Sequence, residues 1–208
     1  MSEVPGTRLL DPQWLAERIS DMGISWGTGD ARVSGTLWWC MAASSLVDPI
    51  VGAYAEGVPA LDPTLERIGC EIRPDGGVER VLPLTGTAAD ELPTESVGHA
   101  LRHTLSRVVP VVAEVSGAGV AALWAIVADA IGNRALDAGA QESGALLARE
   151  VAGRLPVPRF SDIGGRTFVR RISCCLVFEV PGCEMCTSCP KRPAAERERL
   201  LAELAARG

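Results

Sequence analysis

The chain has 208 residues, 47% of them apolar, which is enough to bury a sizeable core as one domain or as one domain with a small C-terminal lobe. Its formal net charge is −6, and Lys191 is its single lysine. This balance excludes a general nucleic-acid-binding protein, which needs a basic surface to displace counterions.

No apolar stretch reaches the roughly 18 uninterrupted residues that a membrane span requires. The most apolar region, residues 108–130, is interrupted by Pro110, Glu114 and several glycines. The first six residues lack the basic start and apolar core of a secretory signal. The sequence therefore predicts no transmembrane segment and a cytoplasmic protein whose cysteines stay reduced.

The amino-terminal region has the pattern of helices. Residues 11–22 predict a first helix that Asp11 caps and Gly23 ends, because an aspartate carboxylate accepts from free helix N–H groups and glycine favours helix ends. A strongly apolar segment, 35–47, predicts a second helix, with a restart at Asp48 before a proline.

A β-hairpin follows these helices. Residues 68–73 and 78–82 flank the turn sequence Pro-Asp-Gly-Gly at 74–77. Cys70 alternates with two isoleucines and so shares their buried face. The glycines at 26–30 form no phosphate-binding pattern, so the sequence predicts no nucleotide site.

The predicted helix 94–109 carries both histidines, His99 and His103, one turn apart on one face. We interpret them as a solvated or groove-side pair rather than a metal site, since no carboxylate completes a zinc-protease pattern. If they face a substrate pocket, they could donate protons to a ligand bound there.

The rest of the chain predicts more helices and an extended approach to the cysteines. These segments are a helical region 111–136 with a break at 117–119, a helix 141–155, a loop 160–165, an extended segment 166–172 and a terminal helix 193–206. The predicted fold is a helix-dominated α+β protein with a small β-hairpin. Residues 1–165 form a mostly helical substrate-binding domain, and residues 166–208 form the C-terminal lobe with the terminal helix.

Five of the seven cysteines lie near the carboxyl end, and four of them have the spacing Cys-Cys-x10-Cys-x2-Cys: Cys174, Cys175, Cys186 and Cys189. Four thiolates in two local pairs fit a tetrahedral zinc or an iron-sulfur cluster. Adjacent side chains of a strand point to opposite faces, so a bulge or sharp bend must turn the first two sulfurs toward one centre. A two-iron cluster spans more width than one zinc ion and accommodates this pair more easily.

Other interpretations of the cysteines stay open at this point. A disulfide framework needs an oxidising compartment. Cys183, Cys186 and Cys189 followed by a proline partly match the four-iron ferredoxin pattern, which requires one more cysteine. In the two-pair interpretation Cys183 is either a bystander in the connecting loop, which we favour, or a substitute ligand.

Residues 166–190 contain the motifs Arg-Arg-Ile-Ser-Cys-Cys-Leu at 170–176 and Cys-Thr-Ser-Cys-Pro at 186–190. This stretch resembles the C-terminal signature of FhuF-type ferric-siderophore reductases. Upstream, only residues 119–139 around Trp124 are similar to that family. The resemblance implies that Cys174, Cys175, Cys186 and Cys189 ligate a 2Fe-2S cluster.

The resemblance also implies a function. The protein is expected to reduce Fe(III) in a ferric siderophore of the hydroxamate type to Fe(II), with electrons from a ferredoxin or an NAD(P)H-dependent reductase. Arg170, Arg171 and Trp124 are candidate substrate contacts; no other catalytic side chain is assigned. The alternatives are an electron-transfer protein with no siderophore substrate of its own and a structural module stapled by zinc.

Overall fold

The computed structural model of the chain describes residues 2–84 and 91–207. In this part of the chain there are six α-helices, which are α1 (Pro12–Trp26), α2 (Ala31–Glu56), α3 (Thr94–Ser116), α4 (Val120–Asp137), α5 (Gln141–Val151) and α6 (Ala194–Ala205). The strands are β1 (Ser2–Pro5), β2 (Ala60–Leu61), β3 (Ile68–Ile72), β4 (Val78–Pro83), β5 (Glu91–Leu92), β6 (Phe160–Ile163) and β7 (Arg166–Val169). Short 3₁₀ helices cover Gly6–Leu10 and Val177–Glu179. The predicted helix-dominated α+β class is confirmed.

Helix α2 is the centre of the fold, and α1, α3, α4, α5 and β4 all pack against it. It is apolar around most of its circumference, and its fully buried side chains include both Trp38 and Trp39. The indole N–H of Trp38 donates to the carbonyl of Gly76 at 2.9 Å, and that of Trp39 donates to the carbonyl of Leu123 at 2.9 Å. These bonds satisfy the buried indoles and fix α2 against the hairpin and α4.

Several helix boundaries differ from the prediction. Asp11 caps α1 as expected, but the helix continues past Gly23 and ends at Gly27, whose φ of 71° is left-handed. The restart at Asp48 is wrong, since α2 runs unbroken through Pro49. Helix α3 likewise continues through Pro110 to the predicted break after Ser116. A proline inside a helix costs about 3 kcal/mol, and burial of the neighbouring apolar side chains offsets this cost.

The predicted hairpin is confirmed as β3 and β4, and β1 joins it to make a three-stranded antiparallel sheet in the order β1-β3-β4. Cys70 is fully buried, on the predicted face. Strands β2 and β5 form a separate antiparallel pair. No helix in residues 2–84 and 91–207 is both long enough and apolar enough to cross a bilayer.

The predicted loop at 160–165 is a second hairpin, in which β6 pairs with β7 in antiparallel register. Glycines at 164 and 165, both with positive φ, make its tight turn. This hairpin lies against α4 at Gly132, where an added Cβ would be 3.2 Å from a methyl group of Val169. The close approach places the end of β7, and the cysteines that follow it, beside α4. The division of the chain at residue 165 stays a prediction.

Candidate metal centre

A tight turn brings the two adjacent cysteines to one side. Leu176 has a φ of 62°, a left-handed conformation that costs a non-glycine residue about 1 kcal/mol, and its side chain is buried. In this turn the backbone N–H of Leu176 donates to the sulfur of Cys174, and that of Val177 donates to the sulfur of Cys175. The sharp bend that the sequence required is therefore present.

The four predicted ligand cysteines meet as two pairs, each with one member from the turn and one from the Cys-x2-Cys segment. The Sγ atoms of Cys174 and Cys189 lie 3.7 Å apart. The thiols of Cys175 and Cys186 share a hydrogen bond. Two thiolates about 2.3 Å from one tetrahedral metal are about 3.8 Å apart, so the first pair already has ligand spacing.

The cysteines do not converge on one point. Within residues 2–84 and 91–207, no group of three or more Cys, His, Asp and Glu side chains could hold a single metal ion. All seven cysteines are free thiols, and 3.7 Å is far longer than a disulfide bond. Two pairs of thiolates fit two neighbouring metal positions better than they fit one zinc ion with four ligands.

The electrostatics of the pairs favour metal capture at neutral pH. The hydrogen bond with Cys186, helped by the Val177 N–H and the Arg171 guanidinium, outweighs burial and lowers the pKa of Cys175 to about 5. The same shared proton raises the pKa of Cys186. Burial, above all, raises the pKa of Cys174. Because metals bind thiolates, the lowered pKa of Cys175 favours metal binding at this sulfur at neutral pH.

Two charged side chains lie directly behind the sulfurs. The guanidinium of Arg171 has one Nη 3.7 Å from the Sγ of Cys186 and its Nε 3.6 Å from a carboxylate oxygen of Asp129. Asp129 belongs to α4 and accepts hydrogen bonds from Ile172 and Ser173. Asp129 was not among the predicted site residues, although a lone acid in the run Ala-Asp-Ala of an apolar helix signals a partnered buried charge.

Arg192 holds the Cys-x2-Cys segment from its other side. Its guanidinium donates to the carbonyl of Met185 at 2.6 Å and to the carbonyl of Cys186 at 3.0 Å, and pairs with Glu196 of α6. Helix α6 packs on β6, and Leu201 is its buried residue. The terminal helix thus folds back over this lobe as predicted. Nothing in the local sequence distinguishes Arg192 from the other arginines nearby.

The remaining cysteines lie outside the two pairs. Cys183 is half-buried in the connecting loop, and its role as a bystander stays a prediction. Cys40 of α2 is closer than the sequence suggested, since it lines a cavity of about 340 Å³ together with Cys175 and Arg171. Burial, followed by the charge of Cys175, raises the pKa of Cys40 to about 12. Cys40 therefore stays a neutral thiol beside the site.

The candidate substrate contacts are separated by the fold. Arg170 and Arg171 line a cavity of about 450 Å³ between the β6–β7 hairpin and α6, which also includes Ser188 of the Cys-x2-Cys segment. Trp124 is 4% exposed and packs in the core, so it lines none of the described cavities. His99 and His103 are exposed on α3 and line none of them either. The proton-donor hypothesis for the histidines therefore has no cavity to support it.

The comparisons with known proteins point to the same segment. Residues 171–191 match the family described as FhuF 2Fe-2S C-terminal domain. This range contains both cysteine pairs and Arg171. No curated protein matches the chain. The match confirms the resemblance to the FhuF type over these residues, and the cofactor that it indicates is a 2Fe-2S cluster.

Proposed function

We propose that this protein is a ferric-siderophore reductase that releases iron in the cytoplasm. The ligands of its 2Fe-2S cluster are Cys174, Cys175, Cys186 and Cys189. The observation that carries the proposal is the arrangement of these thiols in two pairs inside the segment that matches the FhuF 2Fe-2S domain. When bound, such a cluster supplies one-electron transfer at low potential.

The substrate is Fe(III) held by the hard oxygens of a hydroxamate-type siderophore. One electron converts Fe(III) to Fe(II), which these oxygens hold far more weakly, so the ferrous ion leaves and draws the reaction forward. We place the chelate at Arg170 and Arg171, whose positive charges attract anionic oxygens. Their cavity of about 450 Å³ adjoins the Cys-x2-Cys segment at Ser188, which favours electron transfer over a short distance.

The electron donor in this proposal is a separate protein, either a ferredoxin or an NAD(P)H-dependent reductase. The sequence contains no dinucleotide-binding pattern of its own. The cytoplasmic assignment is supported by the free state of all seven cysteines, which suits a reducing compartment. Residues 1–165 contribute to the cavity of about 450 Å³ through strand β6, where Ser161, Asp162 and Ile163 line it.

The test begins with protein purified and reconstituted under anaerobic conditions. We expect a coloured protein with two irons and two sulfides per chain. After chemical reduction and removal of the reductant, it is mixed with a ferric hydroxamate siderophore, and Fe(II) is scored with a ferrous chelator. The expected result is Fe(II) release in amounts that match the oxidation of the protein, and slower release in Arg170→Gln at low siderophore concentration.

The other functions predict different results in the same assay. A colourless protein with stoichiometric zinc would end the iron-sulfur proposal and favour a structural module. A coloured protein that transfers electrons to a haem protein but releases no Fe(II) from any ferric chelate would be an electron carrier. Arg166→Gln is the matched control for Arg170→Gln, since Arg166 is also exposed but lies over the ring of Phe168 and outside this cavity.

A further inference from the structure

Asp129 is a buried acid that the proposed reaction does not use. Its side chain is 5% exposed, and it lies in the middle of α4. Its carboxylate accepts hydrogen bonds from the backbone N–H of Ile172 at 3.0 Å, the backbone N–H of Ser173 at 2.9 Å and the hydroxyl of Ser173 at 2.5 Å. These donors come from the two residues that directly precede Cys174. Asp129 thus docks the start of the cysteine turn on α4.

Docking alone does not require a charge at this position. An asparagine or serine can accept backbone hydrogen bonds without placing a negative charge in a buried site, where an ionised group is strongly unfavourable unless it is paired. The site already collects negative charge, because bound thiolates and an iron-sulfur cluster are anionic. The carboxylate of Asp129 adds to that charge.

Arg171 opposes this charge. Its side chain is 18% exposed and extends between Asp129 and the sulfurs, with 3.6 Å from its Nε to Asp129 and 3.7 Å from an Nη to Cys186. The Nε itself lacks a hydrogen-bond partner, so the interaction with Asp129 is one of charge. The guanidinium of Arg171 therefore lies between the carboxylate of Asp129 and the sulfur of Cys186 and is close to both.

We propose that Asp129 is a positioning residue that docks residues 172 and 173 against α4 and whose charge, opposed by Arg171, sets the reduction potential of the bound cluster. Reduction adds one electron, and so one negative charge, to the cluster. A fixed negative charge disfavours that step and a fixed positive charge favours it. The inference rests on the proposed function only in requiring a bound 2Fe-2S cluster, and it is independent of the siderophore.

The test is an anaerobic potentiometric titration, with a chemical reductant as electron source and visible absorbance and electron paramagnetic resonance as readouts. In Asp129→Asn we expect the one-electron equilibrium to shift about tenfold toward the reduced cluster, which corresponds to about 59 mV. In Arg171→Gln we expect a similar shift in the opposite direction. The double variant should return close to the parent potential, because both charges are absent.

Matched controls separate charge from damage to the fold. Asp137→Asn makes the same change on the same helix at a side chain that is 65% exposed, and it should leave the potential unchanged. Arg171→Lys keeps the charge and should restore most of the potential lost in Arg171→Gln. A purely structural role would move both single variants in the same direction, and that result, or an unchanged potential in Asp129→Asn, overturns the proposal.

A second variant tests the proposal if Asp129→Asn does not retain the cluster. Ser173→Ala removes only the hydroxyl that donates to Asp129, which leaves the carboxylate charge less neutralised. If Asp129→Asn cannot retain iron, a lowered potential in Ser173→Ala supports the proposal and an unchanged potential refutes it. Failure of the proposed reductase function is recognised separately, because it concerns Fe(II) release and not the potential of the cluster.

Discussion

Arg192→Ala removes the guanidinium that ties the Cys-x2-Cys segment to α6. In the parent protein this group donates to the carbonyls of Met185 and Cys186 at 2.6 and 3.0 Å, and its side chain is 17% exposed. Alanine removes the guanidinium donor from both carbonyls, although that of Cys186 still accepts from the backbone N–H of Cys189, and it breaks the ion pair with Glu196. Among the described residues, Arg192 supplies the side-chain hydrogen bonds to these two carbonyls, and the variant loses both of them.

The magnitude follows from the two hydrogen bonds. A hydrogen bond to a charged group contributes about 1.5–3 kcal/mol, and the lower value applies here because the guanidinium is partly solvated. Two such bonds stabilise the conformation of the Cys-x2-Cys segment by about 3 kcal/mol. At about 1.4 kcal/mol for each factor of ten, we expect the variant to lose its cluster about 100-fold faster than the parent.

The assay is the decay of visible absorbance of the reconstituted protein after addition of an iron chelator under anaerobic conditions. Arg199→Ala is the matched control, since Arg199 lies nearby on α6, is 60% exposed and pairs only with Glu203 among the described interactions. The control should decay at the parent rate. Equal decay rates for Arg192→Ala and the parent would refute the reasoning that these carbonyl contacts hold the cluster segment.

Two further outcomes are expected. Cys183→Ala should keep the iron and sulfide content of the parent, whereas Cys186→Ala should lose it. The reason is that Cys186 belongs to a sulfur pair and Cys183 does not. Loss of iron from Cys183→Ala would show that Cys183 is a ligand. Burial raises the pKa of Cys70 to about 12, so this thiol stays neutral through pH 8 and should resist iodoacetamide until the protein unfolds and its pKa falls to about 8.5. Peptide mass spectrometry checks this, and modification of Cys70 in the folded protein at pH 8 would contradict it.

Short-range patterns in the sequence were sufficient for the local elements. Asp11 caps α1, and the turn at 74–77 joins β3 to β4, because a cap and a tight turn depend on residues only a few positions apart. The spacing of the cysteines likewise predicted a thiolate metal site, and the resemblance of the same stretch to the FhuF type predicted the segment that the family model matches. Each of these features is encoded in a contiguous stretch of chain.

The arrangement of the site depended on contacts that no contiguous stretch encodes. The pairing of Cys174 with Cys189 and of Cys175 with Cys186 follows from the left-handed turn at Leu176. Asp129 reaches Ser173 across 44 positions of sequence.

The same reason explains the helices that run through prolines. The lost hydrogen bond at Pro49 is a local effect that the sequence displays, but the burial of α2 among four other helices outweighs it, and that burial exists only in the folded chain. The amino-acid sequence by itself therefore determined which sulfurs are available. Tertiary packing decided how they pair and which charges face them, because distant elements meet only when the core forms.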